Sequence, residues 1–94
     1  MIQVVFPSQL DSYTGGIREL KLDIGNPAGA TLTLSDVVRE LDSRYRGLGF
    51  RIVDEQNRIR RHIAIFVGEN LVRELDAPLT QSARVQIVGA LSGG

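Results

Sequence analysis

Ninety-four residues with 43% hydrophobic content leave room for one domain and one core, well outside the low-hydrophobicity, high-charge regime of disorder. Eleven basic residues balance eleven acidic ones and no basic stretch dominates, which argues against DNA or RNA as partners. The absence of cysteine excludes disulfides, a thiol nucleophile and thiolate metal ligands, so any sulfur the protein handles must come from elsewhere.

Met1 to Pro7 lacks the charged n-region and long apolar stretch of a signal peptide, and no run of about 18 apolar residues occurs. A cytoplasmic protein with no membrane partner is expected. Ile2 to Phe6, rich in β-branched and aromatic residues and closed by Pro7-Ser8, reads as a first strand. Ile17 to Ile24 alternates apolar and charged residues near period two, as a half-buried second strand does. The two are expected to form a hairpin with a long loop from Pro7 to Gly16.

Gly25-Asn26-Pro27-Ala28-Gly29 is a breaker cluster. Beyond it Thr33 or Ser35 can cap a helix through Asp36 to Tyr45, whose apolar stripe is Leu34, Val37, Val38, Leu41 and Tyr45. Gly47 and Gly49 read as residues past the helix end. Phe50 to Val53 is expected as a short strand or turn, and Arg60 to Val67 as the strongest strand. Gly68-Glu69-Asn70 reads as a turn, Leu71-Val72-Arg73 as a return strand, Asp76 to Thr80 as a loop and Arg84 to Val88 as the final strand. One helix cannot cover both faces of such a sheet, so an α+β fold is expected. Its form is a β-grasp, or ubiquitin-like, roll: a mixed sheet of four or five strands with one main helix packed on one face. Residues 1–90 would make the domain and residues 91–94 a flexible tail, leaving the sheet's centre.

That tail, Leu91-Ser92-Gly93-Gly94, carries the chemical interest. From Ala90 onward it could extend about 15 to 18 Å, enough to reach into another protein's cleft. A Gly-Gly end passes through a channel too narrow for any Cβ. Its α-carboxylate, with a reference pKa of about 3.3 to 3.7, is ionised at neutral pH and needs activation before it can act as an acyl donor. Joining it to AMP supplies a leaving group that a sulfur, nitrogen or oxygen nucleophile can displace. The chain would then be a substrate of an enzyme rather than an enzyme.

Other catalytic signals are thin. His62, the single histidine, reads as a solvated or hydrogen-bonded structural residue. Ser8, Asp11 and Ser12 read as turn residues, Asp54 and Glu55 are weak metal ligands by themselves, and Gly15-Gly16 lacks the context of a phosphate loop. No metal site is expected. Arg58, Arg60, Arg61 and Arg73 form a basic cluster, either a solvated strand edge or a partner-docking patch. Strand alternation separates Ile63, Ile65 and Val67 from Ala64 and Phe66. If Phe66 and Val88 both lie on the face away from the helix, they form an exposed apolar docking patch.

Thr14-Gly15-Gly16, the capped helix, Arg61-His62-Ile63-Ala64-Ile65-Phe66-Val67, the Leu75 to Leu79 loop and Ser92-Gly93-Gly94, in this order, resemble the MoaD/ThiS family of prokaryotic ubiquitin-like sulfur carriers. The resemblance spans nearly the whole chain. "TGG" and "R-H-x-x-I-F-V" are most similar to the CysO-like branch, which carries sulfur for cysteine biosynthesis. The resemblance implies that a ubiquitin-activating-enzyme-like partner adenylates Gly94 with Mg-ATP, and that the adenylate becomes a thiocarboxylate, with no cofactor bound to the chain itself. It further implies a pyridoxal-phosphate cysteine synthase as sulfur acceptor and a metal-dependent protease that releases the product. Gly93 and Gly94 match the functional tail; Leu91 and Ser92 match only as tail residues. The chain departs from the family's pattern at Gln81-Ser82-Ala83-Arg84, where members often carry an acidic turn, and at Gly89-Ala90-Leu91, where many carry proline.

Two rivals share this frame: a protein modifier joined through Gly94 to target lysines, and a small subunit whose tail completes a partner's active site, as in the molybdopterin branch. A thiamine-type carrier is the other branch alternative. A single lysine, Lys21, disfavours polymeric conjugation, though not single attachment.

Overall fold

The computed structural model describes residues 1–25 and 31–89. The expectations placed on residues 26–30 and on the tail from Ala90 to Gly94 lie outside the described residues.

β1 (Ile2–Val5) and β2 (Glu19–Leu22) pair antiparallel, Ile2 opposite Leu22 and Val5 opposite Glu19. The second strand is shorter than its alternating pattern. Between the strands, the expected loop holds a 3-10 turn (Ser8–Leu10) and a single-turn helix, α1 (Asp11–Thr14). Side chains with no periodicity fix these turns. Leu10 is buried, the buried Thr14 hydroxyl donates to the Ile17 carbonyl at 3.0 Å, and Arg18 grips both oxygens of Asp11 at 3.0 Å. "TGG" is thus a helix end and turn, as its lack of phosphate-loop context implied.

α2 (Leu34–Arg44) is the main helix, and its N-cap is Thr33 rather than Ser35. The expected stripe places Leu34, Val37 and Leu41 wholly in the core, with Val38 and Tyr45 packed at its margin. The free N–H groups of the first turn are not left to water. Leu34 and Ser35 donate to the carbonyls of Ala77 and Leu75 at 3.0 and 2.8 Å, which ties the loop around Leu75 and Ala77 across the helix start.

The stretch expected as a short strand or turn is instead a helix, α3 (Leu48–Ile52), burying Leu48, Gly49 and Ile52. Gly47, with φ of 91°, does lie past the end of α2, but Gly49 belongs to α3. A five-residue helix is too short to show a 3.6 period in sequence, and its β-prone Phe50 and Ile52 favour the other reading.

β3 (Ile63–Val67) also starts later than expected. Ile63 N–H donates to the Arg60 carbonyl at 2.9 Å, so Arg61 and His62 occupy an exposed turn rather than a strand. β4 (Asn70–Val72) returns antiparallel to β3, and β5 (Arg84–Gly89) inserts between β3 and β1, antiparallel to the first and parallel to the second. The order is β2-β1-β5-β3-β4, a five-stranded mixed sheet with its parallel pair inside and one main helix on one face. That is the β-grasp arrangement. Ile2, Val4, Leu22, Ile65, Val85 and Ile87 face the helix at 3% exposure or less, and removing that much apolar surface from water is what holds the layers together.

Candidate functional site

β5 is the central feature, because it runs inside the sheet and its last described residue, Gly89, is five positions from Gly94. One side of Gly89 is paired with Ile63 at the start of β3. The β1 ladder stops earlier, at the Val5–Gln86 pair, where the first chain segment turns away at Pro7. There the Gln9 side chain takes over: its Nε2 donates to the Gly89 carbonyl at 3.3 Å. The sequence gives no hint of this contact, which joins residues eighty positions apart.

Cross-strand partners share a sheet face, so the register sorts the surface opposite α2 without ambiguity. Ala64 stands opposite Val88, and Phe66 stands between Gln86 on β5 and Leu71 on β4. Phe66 and Val88 are therefore both on the uncovered face, half-buried, and Val5 extends the strip on β1. Leu71, missed in the sequence reading, is the most exposed member at 45%, and its pairing with Phe66 makes the apolar strip continuous to the sheet edge. Alternation within the three-residue β4 is too brief to reveal it.

The basic cluster divides by role. Arg60 is structural: its Nε donates to the Phe50 carbonyl at 2.7 Å and its guanidinium lies 4.6 Å from the Phe50 ring centroid. Arg58 belongs to a turn built on Asp54, whose Oδ1 accepts the backbone N–H groups of Arg58 and Gln56 at 3.0 and 2.9 Å. The Arg58 backbone hydrogen bond chiefly holds the Asp54 carboxyl below its usual range, helped by Gln56 and the nearby Arg58 and Arg60 charges. Arg61 and Arg73 are exposed and, with Arg60, line one cleft beside Leu71 and Val72. Arg61 thus stands at the β3 end that pairs with Gly89, at the root of the tail.

His62 is exposed in the same turn, and Ser8, Asp11 and Ser12 lie in the helical turns before β2, where Asp11 is engaged by Arg18. Among the described residues no group of three His, Cys, Asp or Glu could hold a metal ion, and no helix is long and apolar enough to cross a membrane.

The family model described as the ThiS family matches residues 9–94. A crystal structure of the Amycolatopsis orientalis BexX/CysO complex contains a chain similar to this one, 26% identical, with a TM-score of 0.81 over 100% of both chains. Mycobacterium tuberculosis CysO is 25% identical, with a TM-score of 0.80 over 97% of this chain and 100% of its own. SAMP1 from Haloferax volcanii, 16% identical with a TM-score of 0.78 over 99% of this chain and 98% of its own, shares the fold. Comparison with curated protein sequences gives no match. With the family model matched from residue 9 through four of the five strands and on to Gly94, this chain belongs to the ThiS family, within the MoaD/ThiS group of ubiquitin-like sulfur carriers.

Proposed function

We propose that the chain carries sulfur as a thiocarboxylate on Gly94, for cysteine biosynthesis, as a protein co-substrate of other enzymes. The family match extending through Gly94 carries this reading. The similarity to two CysO chains at 26% and 25% identity favours the cysteine branch over the molybdopterin and thiamine ones.

The chemistry needs little from the carrier itself. The Gly94 carboxylate oxygen attacks the α-phosphorus of Mg-ATP held by a ubiquitin-activating-enzyme-like partner, and pyrophosphate leaves. A sulfide-level nucleophile, HS⁻, then attacks the acyl carbon, AMP leaves, and the product is the thiocarboxylate. In a pyridoxal-phosphate cysteine synthase the sulfur forms a new bond to a serine-derived carbon while still attached to the Gly94 acyl carbon. The acyl group then shifts from that sulfur to the amino nitrogen, and a metal-dependent protease hydrolyses the resulting amide to release cysteine and restore the Gly94 carboxylate. Leu91, Ser92 and Gly93 thread the partner's channel, where any Cβ at the two glycines would narrow the passage. The strip of Phe66 and Val88 docks on the partner's apolar surface, and Arg61 meets its acidic groups at the tail root.

Mass spectrometry of the protein from its native cells tests the reading. Replacement of one terminal oxygen by sulfur is expected, whereas a branched Gly-Gly peptide on target lysines would mark a modifier instead. Gly94→Ala should leave the thermal transition unchanged and lower pyrophosphate release by at least about a hundredfold, the scale of a 1 Å misplacement of reacting groups. An unchanged rate would overturn the assignment of Gly94.

A further inference from the structure

We infer that Gln9 is a positioning residue that latches the root of the tail and so sets the direction in which the chain leaves β5; this rests on the carrier reading above. Two observations meet at one point. The Gln9 amide donates to the Gly89 carbonyl at 3.3 Å. A Cβ built on Gly89 would lie 2.9 Å from Gln9 Cδ, 3.0 Å from Nε2 and 3.1 Å from Oε1, so the whole amide group rests on the glycine's bare Cα. Glycine at position 89 is what lets the glutamine lie there.

The support for the latch is rigid. Gln9 stands on the 3-10 turn, whose Leu10 is 3% exposed and donates its N–H to the Pro7 carbonyl at 3.1 Å. The preceding Phe6, also 3% exposed, donates to the Arg18 carbonyl at 2.8 Å. Gln9 itself is exposed and contributes little to the core, so its side chain is free for a local task. A peptide unit is planar, so a carbonyl held by Gln9 on one side, in a strand paired with Ile63 on the other, fixes the bearing of the bond that leaves Gly89. A tail launched in a fixed direction loses less freedom on entering a partner's channel.

The test uses the full chain as wild type, Gln9→Ala, the isosteric Gln9→Glu, Gly89→Ala and the Gln9→Ala/Gly89→Ala pair. Without any partner, the 15N heteronuclear NOE of the amide at position 89 should fall in every variant while the thermal transition stays put. With the enzyme that adenylates the wild-type chain, KM for the carrier should rise about two- to tenfold, the worth of one net hydrogen bond, with kcat held within about twofold. Gln9→Glu, which keeps the length but loses the donor, should behave like Gln9→Ala. Adding Gln9→Ala to Gly89→Ala should change nothing further, because both act through one contact. An unaltered Gly89 NOE in Gln9→Ala overturns the latch, and a lowered NOE with an unaltered KM overturns its positioning role. If the wild-type chain is never adenylated, the carrier reading fails and positioning falls with it, while the NOE still decides whether the latch exists.

Discussion

At Gly49 the backbone N–H donates to Asp42 Oδ1 at 2.9 Å, and a Cβ on that glycine would lie 3.0 Å from Asp42 Cβ. The carboxylate could swing aside, but Asp42 Cβ is fixed to the α2 backbone and no rotamer change moves it. Gly49→Ala gains up to about 1 kcal/mol of helix propensity. It loses more by forcing α3 away from α2, an overpacking cost of about 1 to 3 kcal/mol, and by stranding a first-turn N–H that has no partner within its helix. A net destabilisation of roughly 1 to 2 kcal/mol is expected in urea denaturation; a neutral variant would mean that the two helices are not in the close contact seen here. The sequence showed that glycine mattered near the end of α2 but not why. Gly47 needs its left-handed φ, a local property, whereas Gly49 and Gly89 need room for a side chain from elsewhere in the fold.

Elements were legible in proportion to their length and periodicity. The 11-residue α2 showed its stripe, and β1, β3 and β5 showed runs of β-branched residues that the sheet uses. The single turn of α1 and the five residues of α3 could not show a period at all. The capped start of α2 was also readable, and it has a pH signature. Asp36 Oδ2 accepts the Thr33 backbone N–H at 2.9 Å and its hydroxyl at 3.1 Å, while Arg39 reaches Oδ1 at 3.2 Å. The Thr33 backbone hydrogen bond is the main reason that the Asp36 carboxyl titrates below the 3.8 of a free side chain, against an opposing push from partial burial. A depressed folded pKa means stability that is present above pH 3.8 and lost as the pH falls through the folded value. Asp36→Asn removes the charge but keeps an acceptor, so it should cost about 0.5 to 1 kcal/mol at neutral pH. The gap between the variant and the wild type should close on acidification below pH 3.8. Parallel denaturation curves across that range, with a constant gap, would show that the carboxylate charge adds nothing to the cap.

At the scale of the molecule, the fold brings the first and last strands side by side: β1 and β5 lie parallel in the sheet's interior, and both alternate between a helix-facing and an open face. Element order made the single covered face readable, since one main helix can cover only one side of the sheet. What it left open was the register, and therefore the identity of the open face, because shifting a strand by one residue exchanges all its inward and outward side chains. The pairing of Phe66 with Gln86 and Leu71, and of Ile65 with Ile87 and Val72, settles the choice. Neighbouring residues should therefore fail in different ways. Ile65→Asp puts an unpaired charge at a site 1% exposed to water. The cost of several kcal/mol is a large share of the 5 to 15 kcal/mol that typically holds a domain folded, so circular dichroism should show a chain unfolded or close to it at 37 °C. Phe66→Asp places the same charge on the half-buried open face, where it can reach water, and should cost about 1 kcal/mol or less. If the carrier docks through this strip, that folded variant should bind the proposed activating enzyme at least about tenfold more weakly, since apolar contacts at an interface centre dominate affinity. Leu71→Asp, farther toward the edge at 45% exposure, should weaken binding less. Full affinity in a folded Phe66→Asp variant would move the docking surface off the open face and toward the helical side.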